Sequence, residues 1–188
     1  MSHIAHRSIP PREGLIEENL LALSQLRSIV GDLAPEHYRQ AFGPHGHHTL
    51  GKHVRHIIDH YDALLGGLEV GGEVIDYEHR RRDEVLEQWP HQAAGRLGAI
   101  EAALTALVER GVPERQGLDY PVGEASLTLE TSLGRELAFL TSHTIHHMAI
   151  IGLLAEQLGI TLPETFGVHP STLRHWQREQ GPLSARSA

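Results

Sequence analysis

Four stretches of the chain repeat apolar residues at the spacing of a helix, and proline or glycine marks where each one stops. The first covers residues 12–33, with Leu15, Leu20, Leu23, Leu26 and Val30 on one stripe, and Pro35 and Pro44 follow it. The second covers residues 49–68, with Leu50, Val54, Ile57, Tyr61, Leu64 and Leu68. The glycine pairs Gly66-Gly67 and Gly71-Gly72 are expected to end it. The third covers residues 90–110, with proline in its first turn and Gly111 just past its end. The fourth covers residues 132–158 and stops at Gly159. A short helix over residues 171–180, with Ser171 as N-cap, follows Pro163 and Pro170. Four long helices in 188 residues predict an all-α fold, one four-helix bundle domain over residues 1–188 with a short extra C-terminal helix.

The connections are less regular. Residues 75–83 are too polar for a core strand and read either as a solvated crossover or as a substrate-facing loop. The segment over residues 77–88 is expected to lie across one end of the bundle. Residues 112–130 alternate weakly and suggest one small hairpin around residues 121–124.

Composition narrows the function. The chain has no cysteine, so disulfides, thiolate metal sites and a cysteine nucleophile are excluded, and a reducing cytoplasm is the expected compartment. The longest uncharged apolar run, residues 148–155, is far shorter than the ~18–20 residues that span a bilayer, and the N-terminus lacks an apolar signal-peptide core. No membrane partner is therefore expected. A net charge of −8 argues against nucleic-acid binding, which leaves a basic footprint. The unusual count is 16 histidines, as many as lysine and arginine together. Their full ionisation would move the formal charge from −8 to +8.

Those histidines cluster on two helices. On the fourth, the stripe of Leu133, Leu140, Ile151, Leu154 and Leu158 centres close to His147, and His143 lies about 40° away, one turn back. His143 and His147 thus face inward as an i,i+4 pair that can share one metal ion, while His146 points about 100° away and outward. Glu136 shares the inward face, where a carboxylate needs a partner. It reads either as a salt bridge to an arginine of a neighbouring helix or as a proton acceptor. On the second helix His53, His56 and His60 lie within about 60° of one another on the flank of the apolar stripe. The wheel puts His53 and His60 nearer the stripe centre and His56 at its edge, and does not choose among them as a third ligand.

The string Gly51-Lys52-His53-Val54-Arg55-His56-Ile57-Ile58-Asp59-His60, followed downstream by Ser142-His143-Thr144-Ile145-His146-His147, resembles the DinB/YfiT-like family of metal-dependent proteins. Members of that family are four-helix bundles whose metal is held by one histidine of the second helix and a His-x-x-x-His pair of the fourth. The first ligand sits in a His-apolar-x-Asp context, matched here by His56-Ile57-Ile58-Asp59. The resemblance therefore implies His56, His143 and His147 as the ligands of one divalent ion, with His53 and His60 as additions to the pattern. Asp76-Tyr77 with Arg80-Arg81-Arg82, and Leu162-Pro163-Glu164-Thr165-Phe166-Gly167-Val168, are similar to one subgroup of the family. The family includes thiol-dependent transferases and isomerases.

These readings imply an enzyme of transferase or hydrolase type acting on a small molecule. Three neutral imidazoles leave a divalent ion an open position for water or a thiolate, and nitrogen-only ligation suits Zn or Ni first and also accommodates Fe or Co. Without cysteine, any thiol must come from a low-molecular-weight cosubstrate. His60 and Glu136 are the expected proton acceptors, and Tyr77 and Arg81 the expected anion-binding residues. The rivals are a non-catalytic metal-binding or stress-response protein and a pH-sensitive histidine interface. Apolar residues beyond one stripe (Leu20, Leu21 and Leu23, then Leu104, Leu107 and Val108) suggest a homodimer through helix faces, or cover from the C-terminal helix around Leu173 and Trp176.

Overall fold

A computed structural model describes residues 11–69, 74–110 and 112–180. Among them the chain forms α1 (Pro11–Asp32), α2 (Pro35–Arg39), α3 (Leu50–Gly67), β1 (Ile75–Asp76), α4 (Glu84–Gln88) and α5 (Pro90–Ala106). The hairpin β2 (Arg115–Val122) and β3 (Ala125–Ser132), then α6 (Leu133–Gln157) and α7 (Pro170–Gln180), complete it.

The four long helices fall where the apolar periods put them. Thr49 caps α3 by accepting from the Lys52 amide at 2.9 Å, and Ser132 caps α6 by accepting from the Arg135 amide at 3.1 Å. Pro90 opens α5, and Gly159, with φ of 71°, turns the chain out of α6. Helix α1 packs against α5 and α6, and α3 packs against the same two, so the four close into a ring. Its interior is aliphatic: Leu23, Leu26, Ile57, Leu64, Leu97, Ile100, Leu137 and Leu140 are all fully buried. One polar chain crosses it. Asn19 on α1 donates to the Leu137 carbonyl at 3.0 Å, Tyr61 on α3 donates to Asn19 at 2.6 Å, and Thr144 on α6 donates to the Tyr61 hydroxyl at 3.1 Å. Among the described helices α6 is the one long and apolar enough by length and composition to cross a membrane, and here it is a core helix of the ring.

Some boundaries match expectation and others differ, each for a local reason. Helix α3 ends at Gly67, where the glycine pair was expected to stop it, with Leu68 as C-cap. A Cβ at Gly67 would lie 2.9–3.3 Å from Ile75, so this glycine also serves the close approach of β1. Gly71-Gly72 and Gly111 lie outside the described residues. Helix α5 closes at Ala106, and residues 107–109 form a turn. Helix α7 starts at Pro170, so Ser171 is already inside it, and the His169 ring accepts from the Ser171 amide at 3.2 Å in the capping role.

The all-α expectation is corrected by a three-stranded sheet. The hairpin expected around residues 121–124 turns there but is longer, eight residues on each side, with Leu118 opposite Leu129 and Tyr120 opposite Leu127. β1 joins it in parallel, Ile75 beside Leu118. A two-residue strand has no readable period, and the hairpin is largely solvent-exposed, so its sequence lacks the buried alternation that identifies strands. Of the apolar residues beyond one stripe, Leu23, Leu104 and Leu107 are buried, while Leu21 and Val108 are exposed, Leu21 on a groove beside Leu173 of α7.

Candidate metal centre

Five histidines meet on the seam between α3 and α6. On α3 His53, His56 and His60 recur every three or four residues, one face of the helix, while Val54, Ile57, Ile58 and Tyr61 fix that face by burying themselves in the core. On α6 His143 and His147 stand one turn apart. The ring centroid of His56 is 5.0 Å from that of His143 and 4.5 Å from that of His147, and the latter two are 4.6 Å apart. His60 packs 4.1 Å from His143 and 4.4 Å from His56. One nitrogen from each of His56, His60 and His143 lies within 4.8 Å of the other two, close enough for these three to hold a metal ion.

His53 joins through His147, their Nδ1 atoms 3.0 Å apart, so one ring donates and the other accepts. His60 Nδ1 lies between the His56 carbonyl, which can only accept, at 2.8 Å and Arg80 Nη1, which can only donate, at 2.9 Å. The Nε2 atoms of His53 and His143 are buried without a hydrogen-bond partner among the described residues. Burial, more than any neighbour, holds these imidazoles neutral. It lowers His53, His60 and His143 to about 4 and His147 to about 3, with nearby imidazoles and Arg80 adding to the effect. His56, ringed by His60, His147, Arg80 and His143, is lowered furthest. Neutral rings with free lone pairs are what a divalent cation requires.

The segment after β1 covers this seam. Arg80 extends its Nη1 to 3.2 Å from His56 Nδ1 and to 2.9 and 3.3 Å from the two His60 nitrogens. Tyr77 stacks on His60 with centroids 5.4 Å apart and meets Phe139 at the same distance in a tilted contact. Its hydroxyl donates to Glu136 at 2.9 Å. Glu136, fully buried, also accepts from Thr131 at 2.5 Å and from Arg135 at 2.8 Å. Behind the seam Arg55 donates to Asp59 and, at 2.5 Å, to Glu87 of α4. At Gly51 a Cβ would sit 2.2 Å from the Glu87 carbonyl oxygen, so only glycine lets α4 lie this close to α3.

Each expected site residue can now be located. His56, His143 and His147 come together, with His60 among them and His53 behind His147; His146 is exposed. Glu136 faces inward but has three donors from Tyr77, Thr131 and Arg135, not the expected arginine of a neighbouring helix. Tyr77 reaches the site with its hydroxyl already engaged. Arg81 is exposed, and Arg80 is the arginine that touches the histidines. A loop has no period from which to tell which of two adjacent side chains turns in.

Similarity to known proteins agrees with this geometry. A 50-residue stretch is 42% identical to FK506-binding protein 5 of Rhizopus delemar; it makes up 27% of this chain and only 13% of that protein, too small a share to carry function across. No solved structure matches the chain. The family model of the DinB superfamily, by contrast, matches residues 20–151, which run from α1 through the histidines of α3 to those of α6. With the helical ring and its histidine seam inside that match, the chain belongs to the DinB superfamily.

Proposed function

We propose that this protein is a divalent-metal-dependent enzyme on a four-helix bundle, with His56, His143 and His147 holding one ion and a small molecule as substrate. The observation that carries the reading is the buried, unpartnered Nε2 of His143 in the middle of neutral imidazoles. An unsatisfied buried nitrogen costs about 1–3 kcal/mol, and a coordinated cation removes that cost. Zn or Ni suits an all-nitrogen set first, with Fe or Co next. When bound, such an ion supplies a Lewis acid and lowers the pKa of a coordinated water or thiol.

The chain's own residues have separate duties in this proposal. His147 binds through Nε2 when its Nδ1 donates to His53, so His53 fixes the ring's tautomer and angle. His60, neutral and packed beside His143, accepts a proton from substrate. Glu136, occupied by three donors, acts through Tyr77, whose ring it holds against His60; it is a positioning residue. A thiol, if the reaction uses one, arrives as a low-molecular-weight cosubstrate in a reducing compartment such as the cytoplasm.

A second reading replaces His147 by His60 as third ligand, favoured by the nitrogen atoms of His56, His60 and His143 lying within 4.8 Å of one another. Metal analysis of untagged protein separates the two. Wild type should carry one ion per chain, His147→Ala should lose it, and His60→Ala should keep it and lose turnover in a thiol-transfer screen. The reverse pattern selects the second ligand set. A wild-type protein that takes up no divalent ion refutes both.

A further inference from the structure

Next to the histidine seam lies a cavity of about 190 Å³ whose carboxylates are all paired and whose guanidiniums are not. Asp59, Asp62, Asp76, His79, Arg80 and Arg81 line it. Asp59 is bound by Arg55. Asp62 accepts from two nitrogens of Arg96, at 2.7 and 3.2 Å. Asp76 accepts from the Glu78 amide at 2.8 Å, the His79 amide at 3.1 Å and the His79 ring at 2.7 Å. Both cations that neutralise the first two lie outside the lining. Among the described residues no carboxylate forms an ion pair with Arg80 or Arg81. Arg80 has in addition a buried Nε without a partner, and its other end touches His56 and His60. Two guanidiniums without a carboxylate partner among the described residues therefore line a small cavity, and Arg80 connects it to the histidine seam.

We propose that this cavity binds the carboxylate of a small organic acid, held by Arg80 and Arg81, so that the rest of the molecule points at the histidines. Planar guanidiniums match a carboxylate with two parallel hydrogen bonds. The volume is below the ~300–1,000 Å³ of sites for drug-sized ligands, which suits a short acid. That the acid is the substrate rests on the metal-enzyme reading above; that the cavity binds a carboxylate does not.

Succinate is a suitable probe, titrated calorimetrically into the full-length protein, metal-free and Zn²⁺-loaded. Saturable binding is expected in both forms. Arg80→Ala and Arg81→Ala should each weaken it by about tenfold or more, the loss of a charge-assisted hydrogen bond. Arg82→Ala, at the next and exposed position, should leave it unchanged. Arg80→Lys guards against misfolding, since it keeps the charge and should recover part of the affinity. No saturable succinate binding, or binding indifferent to both Arg80→Ala and Arg81→Ala, overturns the proposal. So does saturable binding of methylammonium that Asp76→Asn abolishes, which would make the cavity a cation site. Succinate binding that depends on both arginines in a protein that takes up no Zn²⁺ would uphold the cavity and remove the metal-enzyme reading.

Discussion

Two of the four seams of the helical ring are built from opposite materials. Where α1 meets α5, the buried residues are Leu23, Leu26 and Val30 on one side and Ala93, Leu97, Ile100 and Leu104 on the other, with polar contact confined to the rim pair Arg27–Glu101 at 3.0 Å. Where α3 meets α6, five histidines, Tyr61 and Thr144 occupy the equivalent space. Aliphatic burial yields stability without direction, whereas imidazoles forced to stay neutral oppose stability at low pH and gain nothing until something binds them. The fold holds together on one side and gathers neutral imidazoles on the other.

Truncating the apolar seam should have the largest effect. Leu97 is fully buried in α5, and Leu97→Ala should cost about 2–5 kcal/mol through lost burial and the cavity left behind. Urea unfolding should show the loss at every pH, and the divalent-ion stoichiometry of the folded fraction should not change. A Leu97→Ala protein of wild-type stability would mean that the α1–α5 seam is not the stabilising half.

The histidine seam should respond to pH instead. Its imidazoles are lowered in the fold, His53, His60 and His143 to about 4 and His147 to about 3, while unfolded histidine titrates near 6.5. Between those limits the unfolded chain binds more protons than the folded one, so stability rises with pH. It is complete above about pH 7 and is lost as pH falls from about 6.5 towards 4. The slope should approach about 1.4 kcal/mol per pH unit for each histidine that stays neutral in the fold. Urea midpoints at pH 7, 6 and 5 measure it. His143→Ala should flatten the slope and Leu97→Ala should not, which ties the effect to one seam.

That contrast between seams was half legible in the sequence. Helical period and caps located the ring, because Thr49, Ser132, Pro90 and Gly159 act on their own neighbours and need no tertiary information. The same wheel turned His143 and His147 inward and His146 outward, and resemblance singled out His56. The wheel set His56 at the stripe edge and His60 nearer its centre but could not choose the ligand, since both rings meet those of α6. Gly66-Gly67 marked the end of α3, but the second reason for Gly67, the close approach of Ile75 eight residues away in another element, left no signal. Arg80 rather than Arg81, and the donors that hold Glu136, depend on how the segment after β1 docks, and β1 is fixed by pairing with a hairpin some forty residues downstream. Contacts of that kind leave no local pattern.

The smallest effect should come from the bond that docks this segment on the bundle. Tyr77 touches the site in two ways: its ring lies 5.4 Å from both His60 and Phe139, and its hydroxyl donates to Glu136 at 2.9 Å. Tyr77→Phe keeps the ring and removes only the hydroxyl. Glu136 still accepts from Thr131 and Arg135, so its carboxylate is not stranded, and the cost should be that of one hydrogen bond to a charged group, about 1–2 kcal/mol. Glu136→Gln should cost more, because the Arg135 pair goes with it, and Tyr77→Phe added to Glu136→Gln should cost less than it does alone. Strict additivity in that double-mutant cycle would mean that the two side chains do not depend on each other. Metal stoichiometry should be untouched in all three variants, because the ring that packs on His60 is still there. Loss of the ion from Tyr77→Phe would show instead that the hydroxyl belongs to the metal centre and not to the docking of the segment above it.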